Sequence, residues 1–222
     1  MNFYPNQLFH IYNQGNNRQP VFFTEEHYKF FLWKMRAYLL PFGDLIAYCL
    51  MPNHFHWQFF VREIEIERKV LRISVDAVEM QRRREKYGSA ALQVDFKSRR
   101  QAEEDSLVSL NEAIGILQKA YARAINQEKN WTGSLFRKEC KAKDGWIDEF
   151  ITLFKPNGKL DARFLSGTDY AYNCFCYIHN NPNDADLVKE CTAWKYSSAQ
   201  DYAGLRKGNL CNLELGRVLL NL

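Results

Sequence analysis

Two histidines separated by one residue, His54 and His56, and a tyrosine four residues ahead of an asparagine, Tyr177 and Asn181, are the side chains whose spacing could do chemistry. In His54-Phe-His-Trp-Gln-Phe-Phe-Val61 an extended strand sends His54, His56, Gln58 and Phe60 to one face and Phe55, Trp57, Phe59 and Val61 to the other. Two imidazoles one step apart on a strand face can converge on a single cation. Such histidines also serve as ordinary structural residues, and an H-x-H alone does not separate the two roles. If Tyr177-Ile-His-Asn-Asn-Pro182 is the last turn of a helix, Tyr177 and Asn181 share one face, a phenolic nucleophile beside an amide-oxygen ligand, while His179 points elsewhere. A core aromatic at Tyr177 and a helix cap before a proline at Asn181 stay open as alternatives.

The elements that must position these groups are readable from pattern. Gln7 to Tyr12 has strand character, and Asn13-Gln-Gly-Asn-Asn17 is turn chemistry. A helix opens at Thr24 and runs to about Leu40, with Pro41 and Gly43 as stops. Leu45 to Leu50 reads as a buried strand that Met51-Pro-Asn53 turns into the His54 to Val61 strand, a hairpin with the histidines at its mouth. From Arg62 to about Asp105 the chain is highly charged, which predicts helices or a mobile insertion. Ser109-Leu-Asn-Glu112 has capping-box spacing before a helix of about Asn111 to Asn126, whose Ala113, Ile114, Leu117, Tyr121, Ala124 and Ile125 recur at helical intervals. An extended segment begins at Gly133, and a helix is expected from Gly145 to Phe154, where Pro156, Asn157 and Gly158 break it. Thr168 then caps a last helix ending near Pro182, because the residue before a proline disfavours helical angles. The order strand, helix, two strands, helix, strand, helix predicts an α+β sandwich on one antiparallel sheet.

The bulk properties narrow the classes. With 222 residues, one domain carrying an insertion at about 62–105 is expected, and 46% apolar with 15% aromatic residues gives material for a core. The longest apolar candidate, Phe30 to Leu40, is broken by Lys34 and Arg36, and the N-terminus has no signal-peptide pattern, so a cytoplasmic protein with no membrane partner is expected. The six cysteines show no paired C-x-x-C spacing and are expected to be reduced and mostly buried; Cys174-Phe-Cys176 lacks the second pair that a zinc site needs. A net charge of +4 does not by itself imply nucleic acid. Its basic clusters say more: Arg82-Arg-Arg-Glu-Lys86, Lys97-Ser-Arg-Arg100, and above all Arg137, Lys138, Lys141 and Lys143 could face a phosphate backbone.

Five blocks, taken together, resemble a known family. Phe9-His-Ile-Tyr-Asn-Gln-Gly-Asn-Asn-Arg18 with Pro20-Val-Phe-Phe23, Leu50-Met-Pro-Asn-His-Phe-His56, Tyr121-Ala-Arg-Ala-Ile-Asn126 with Gly133-Ser-Leu-Phe136, Tyr177-Ile-His-Asn-Asn-Pro182 and Trp194-Lys-Tyr-Ser-Ser198 follow one another as in the REP-associated tyrosine transposases. These are a branch of the single-tyrosine HUH transposases of bacterial insertion sequences. The resemblance implies a ferredoxin-like, RRM-like antiparallel sheet with helices packed on it, and cleavage and rejoining of single-stranded or hairpin DNA through a 5'-phosphotyrosine. It implies Tyr177 as nucleophile, His54, His56 and Asn181 as ligands of Mg²⁺ or Mn²⁺, and either a monomer or a homodimer. This sequence departs from the pattern at Glu139, where family members often have arginine, and its segments at about 62–105 and 155–168 look long. Two rivals stand beside this reading. A small metal hydrolase would need further ligands, and the remaining His10, His27 and His179 fall in no ligand motif. A repurposed DNA-binding protein would keep the fold without strand transfer. No G-x-x-x-x-G-K-[ST] loop occurs, in keeping with rejoining that needs no ATP.

Overall fold

Alternating, aromatic-rich segments form the main strands where the pattern places them, in a computed structural model that describes residues 1–88, 106–144 and 170–222. Strand β1 (Gln7–Gln14) is followed by helix α1 (Glu25–Leu39), which stops at a short 3-10 turn holding Pro41. Strands β2 (Gly43–Met51) and β3 (His54–Val61) are joined by Pro52 and Asn53 alone. Then come β4 (Glu65–Glu67), α2 (Arg68–Tyr87), β5 (Leu107–Ser109), α3 (Leu110–Lys129), β6 (Lys141–Asp144), α4 (Tyr170–Asp184) and two short helices, α5 (Ala199–Tyr202) and α6 (Leu213–Leu220). The main sheet is four-stranded and antiparallel, in the order β2-β3-β1-β6, which with this chain order is the ferredoxin-like arrangement that the family resemblance implies.

The chain divides into two compact units. The first comprises Met1–Phe23, Asp44–Val61 and Ser134–Leu222. In it β1 pairs with β3 so that Leu8 faces Phe60, His10 faces Gln58, Tyr12 faces His56 and Gln14 faces His54. One sheet face therefore carries both rows of these residues, as period two requires. On the opposite face Phe9, Ile11, Phe55, Trp57, Phe59 and Val61 are buried. Helix α4 turns Tyr170, Ala171, Cys174, Phe175 and Ile178 into a core with Leu8, Ile46, Cys49 and Met51. At the sheet's β2 edge, Leu50 N donates to Tyr196 O and Ser198 N to Tyr48 O, so the Trp194-to-Ser198 block closes an edge that would otherwise present open backbone groups. The second unit, Thr24–Gly43 and Arg62–Gly133, holds α1, α2, α3 and the β4–β5 ladder, with the Phe31 and Tyr121 rings edge to face, 4.9 Å between centroids.

Several expectations are revised. The charged stretch after Arg62 includes helix α2, but also β4, which pairs with β5 over three residues, too few to leave an alternating signature. Helix α4 does not stop at Pro182 but continues to Asp184, in a last turn where Ala185 N and Leu187 N still reach the carbonyls of Asn181 and Pro182. Of the cysteines only Cys49 and Cys174 are buried; Cys140, Cys176, Cys191 and Cys211 are half-buried, and all six are free thiols. The capping box is as expected: Ser109 Oγ accepts from Glu112 N, and Ser109 N donates to the Glu112 carboxylate. The helix expected from Gly145 to Phe154, the Thr168 cap and the Lys97-to-Arg100 cluster lie outside the described residues. Among the described residues no helix is long and apolar enough to cross a membrane.

Candidate active site

His54 is held from behind by a loop that the hairpin turn organises. Val21 N and Phe22 N both donate to Pro52 O, and Gly15 N donates to Asn53 O. Gly15 is needed there because a Cβ at that position would lie 2.1 Å from the Gln19 carbonyl oxygen. The Asn53 amide nitrogen donates to Arg18 O at 3.2 Å, which fixes the carboxamide and leaves Oδ1 to accept from His54 Nδ1 at 2.6 Å. Burial pushes the His54 imidazole below its ordinary pKa, with the Asn181 oxygen working the other way. The neutral ring so arranged carries its proton on Nδ1 and a lone pair on Nε2. That lone pair faces Asn181 Oδ1 at 3.3 Å.

Asn181 arrives there because α4 is tied to the sheet at both ends. Near its start Gln58 Nε2 donates to Ala171 O at 2.8 Å; further along, His179 Nε2 meets Ser198 Oγ at 2.7 Å, and that hydroxyl also binds the Tyr48 backbone. His179 thus points away from the pocket, as the helical spacing predicts. Tyr177 and Asn181 face it. The Tyr177 ring stands edge-on to His56, with centroids 5.3 Å apart, and 6.1 Å from His10. Burial raises the Tyr177 phenol above the ordinary tyrosine value, and the adjacent Asn181 amide offsets part of this. His56, 5% exposed, is held well below the ordinary histidine value by burial and by the neighbouring His10 and His54 rings.

His54, His56 and Tyr177 line a pocket of about 220 Å³ together with Tyr12, Asn13, Gln14, Arg137, Glu139 and Lys141, and Asn181 adjoins it through His54. Lys141 lies opposite Tyr12 and Lys143 opposite His10 in the β1–β6 register, so both lysines share the histidine face. Arg137 reaches the pocket from the extended segment whose backbone N donates to Gln14 O. Lys138 is exposed and is not among the lining residues. Glu139, the departure noted in the sequence, brings a carboxylate into an otherwise basic rim.

The donor set suits a divalent cation. Two imidazoles without a proton to lose and a carboxamide oxygen aimed at one of them, lone pair to lone pair, form a cluster that a cation would satisfy. Among the described residues no group of three or more His, Cys, Asp or Glu side chains is arranged to hold a metal, and the carboxamide oxygen of Asn181 lies 3.3 Å from His54 Nε2. Sequence reasoning missed His10, Asn53 and the stacking of Tyr12 on His56, 5.7 Å apart, because each depends on strand register or loop closure. The alternation of His10 and Tyr12 on β1 was the available signal.

A ferredoxin-like sheet with paired histidines on its third strand, faced by a helix carrying tyrosine and asparagine, defines an α+β chain built around a histidine–tyrosine pocket. No protein-family model and no curated protein matches the chain. Among solved structures it is similar to that of a REP-associated tyrosine transposase bound to a REP hairpin, with a TM-score of 0.51 and 12% sequence identity. The match covers 96% of this chain and 92% of that one, and at this identity it establishes a shared fold.

Proposed function

We propose that this protein is a DNA transposase-type endonuclease that cleaves and rejoins single-stranded or hairpin DNA, using Tyr177 as nucleophile and a divalent cation, Mg²⁺ or Mn²⁺, held by His54, His56 and Asn181. The observation that carries the reading is the convergence in one pocket of Tyr177, both histidines, Arg137 and Lys141, with the Asn181 carboxamide oxygen 3.3 Å from His54 Nε2. The neighbour bound to a REP hairpin supports a hairpin DNA as partner.

Such a cation, when bound, supplies charge withdrawal from a phosphate oxygen. The protein's own residues do the rest. Tyr177 loses its phenolic proton, its oxygen bonds to phosphorus, and the bond from phosphorus to the 3'-oxygen breaks. The leaving 3'-oxygen takes up a proton, and the 5'-phosphate stays on the tyrosine. The bond energy is kept in that link, so attack by a 3'-hydroxyl restores a DNA strand and the phenol. Arg137, Lys141 and Lys143 contribute charge for the backbone, with Lys138 exposed beside them, and Tyr12 offers a ring for base stacking. The setting is the cytoplasm, as monomer or homodimer.

The test is incubation with labelled hairpin-containing single-stranded oligonucleotides and Mg²⁺ or Mn²⁺, followed by a search for a denaturation-resistant protein–DNA adduct. An adduct lost in Tyr177→Phe and His56→Ala is expected. DNA binding without any adduct across a diverse oligonucleotide pool would instead favour a repurposed DNA-binding protein with this fold.

A further inference from the structure

His10 lies on β1 one diagonal step from His56 on β3, since its direct partner in the register is Gln58. Its Nε2 is 2.8 Å from His56 Nδ1, and the two rings lie side by side with centroids 5.0 Å apart and planes at 29°. Both residues are buried, at 1% and 5% exposure. At that separation one proton lies between the two nitrogens, so one ring donates and the other accepts. Two arrangements satisfy this. In one, His56 donates through Nδ1–H and keeps a lone pair on Nε2. In the other, His10 donates, His56 carries its hydrogen on Nε2, and no lone pair is left for a ligand bond.

We propose that His10 is a positioning residue: by accepting the Nδ1–H of His56 it holds that ring in the tautomer whose Nε2 lone pair is free for the pocket, and so sets the site's affinity for a divalent cation. The inference rests on the metal-site reading above and deepens it. Asn53 stands in the same relation to His54, with a carboxamide oxygen 2.6 Å from Nδ1. The two ring nitrogens turned away from the pocket are thus each held by a partner, one from the hairpin turn and one from β1. An outer partner of this kind raises ligand basicity and removes the cost of choosing a tautomer at the moment of binding.

The full chain is titrated with Mn²⁺, free Mn²⁺ being read by electron paramagnetic resonance, with circular dichroism and thermal melting to show folding. His10→Leu keeps the buried volume but has no acceptor, and its Mn²⁺ affinity is expected to fall on the order of 10- to 100-fold. His10→Gln can place its side-chain oxygen where Nε2 stood and is expected to stay within a few-fold of the unsubstituted protein. His10→Asn, too short to reach, is expected to lose affinity as the leucine variant does; should His10→Leu fail to fold, the glutamine and asparagine pair decides. Undiminished Mn²⁺ binding in folded His10→Leu overturns the proposal and leaves the metal site standing, provided His56→Ala abolishes binding. Glutamine and leucine variants that fold and lose affinity equally also overturn it, since packing alone would then explain the loss. No Mn²⁺ binding by the unsubstituted protein overturns both readings together.

Discussion

The pocket's chemistry is set by which atom of each ring carries a proton, and for His54 that choice is made by one asparagine. Asn53 is oriented through its bond to the Arg18 carbonyl and offers His54 Nδ1 an acceptor and nothing else. Asn53→Ala removes that acceptor, and Mn²⁺ affinity is expected to drop on the order of 10-fold or more. Folding stability should change by only about 1–2 kcal/mol, because two hydrogen bonds of a half-exposed side chain are lost and no cavity opens. Asn53→Asp keeps an oxygen that can accept from Nδ1, though without the bond to Arg18 O, and should bind more tightly than the alanine variant; a loss as large as the alanine variant's would show that the acceptor is not what matters. At this scale the sequence was legible where a rule is local. Strand alternation put His54 and His56 on one face, and helical spacing put Tyr177 beside Asn181 and turned His179 away. Asn53 and His10 escaped notice because their partners are chosen by a turn conformation and by the β1–β3 register, neither of which a spacing rule contains.

Helix α4 delivers tyrosine and asparagine to the histidines, and its placement depends on a polar clamp as well as on its apolar face. Ser198 Oγ takes part in bonds with His179 Nε2 and with both the N–H and the carbonyl of Tyr48, so it links α4 to the β2 edge through one buried atom. Ser198→Ala leaves His179 Nε2 and Tyr48 N without this partner, while the Tyr48 carbonyl keeps the Ser198 backbone N–H, and is expected to destabilise the protein by about 1–3 kcal/mol in denaturant titrations. An unchanged midpoint would mean that α4 is located by packing alone. The loop ahead of the hairpin turn makes a second test: in Gly15→Ala the added carbon meets the Gln19 carbonyl, backbone that cannot rotate away. A destabilisation of about 1–3 kcal/mol is expected, with weaker Mn²⁺ binding as Asn53 shifts. Elements with a strong period or a capping signal, such as β3 and α3, were readable in advance. Strands of three residues, β4 and β5, exist only through each other. Helix α4 ends near Pro182, as its sequence predicts, but takes the proline into its last turn, because the bonds there outweigh the local bias before it.

For the whole molecule a net charge of +4 is too small to hold DNA by bulk attraction, so distribution must do the work. The β1–β6 pairing turns Lys141 and Lys143 to the histidine face, and the segment beside Gln14 adds Arg137 at the pocket wall, while Glu139 opposes them. Three cations meeting the phosphates of a single strand predict that log K for an oligonucleotide falls against log salt with a slope of about −2, from roughly −0.7 per contact. Arg137→Ala with Lys141→Ala should flatten that slope to about −0.7, whatever the sequence of the strand. Lys138→Ala, altering an exposed residue outside the pocket lining, should change it less than either single substitution. Glu139→Gln should tighten binding, since it removes a like charge from the phosphate path. Fluorescence anisotropy with a labelled hairpin oligonucleotide across a sodium chloride series measures all four. A slope that the double variant leaves unchanged would put the DNA on another surface, and Tyr177 would then have no phosphate delivered to it along β6.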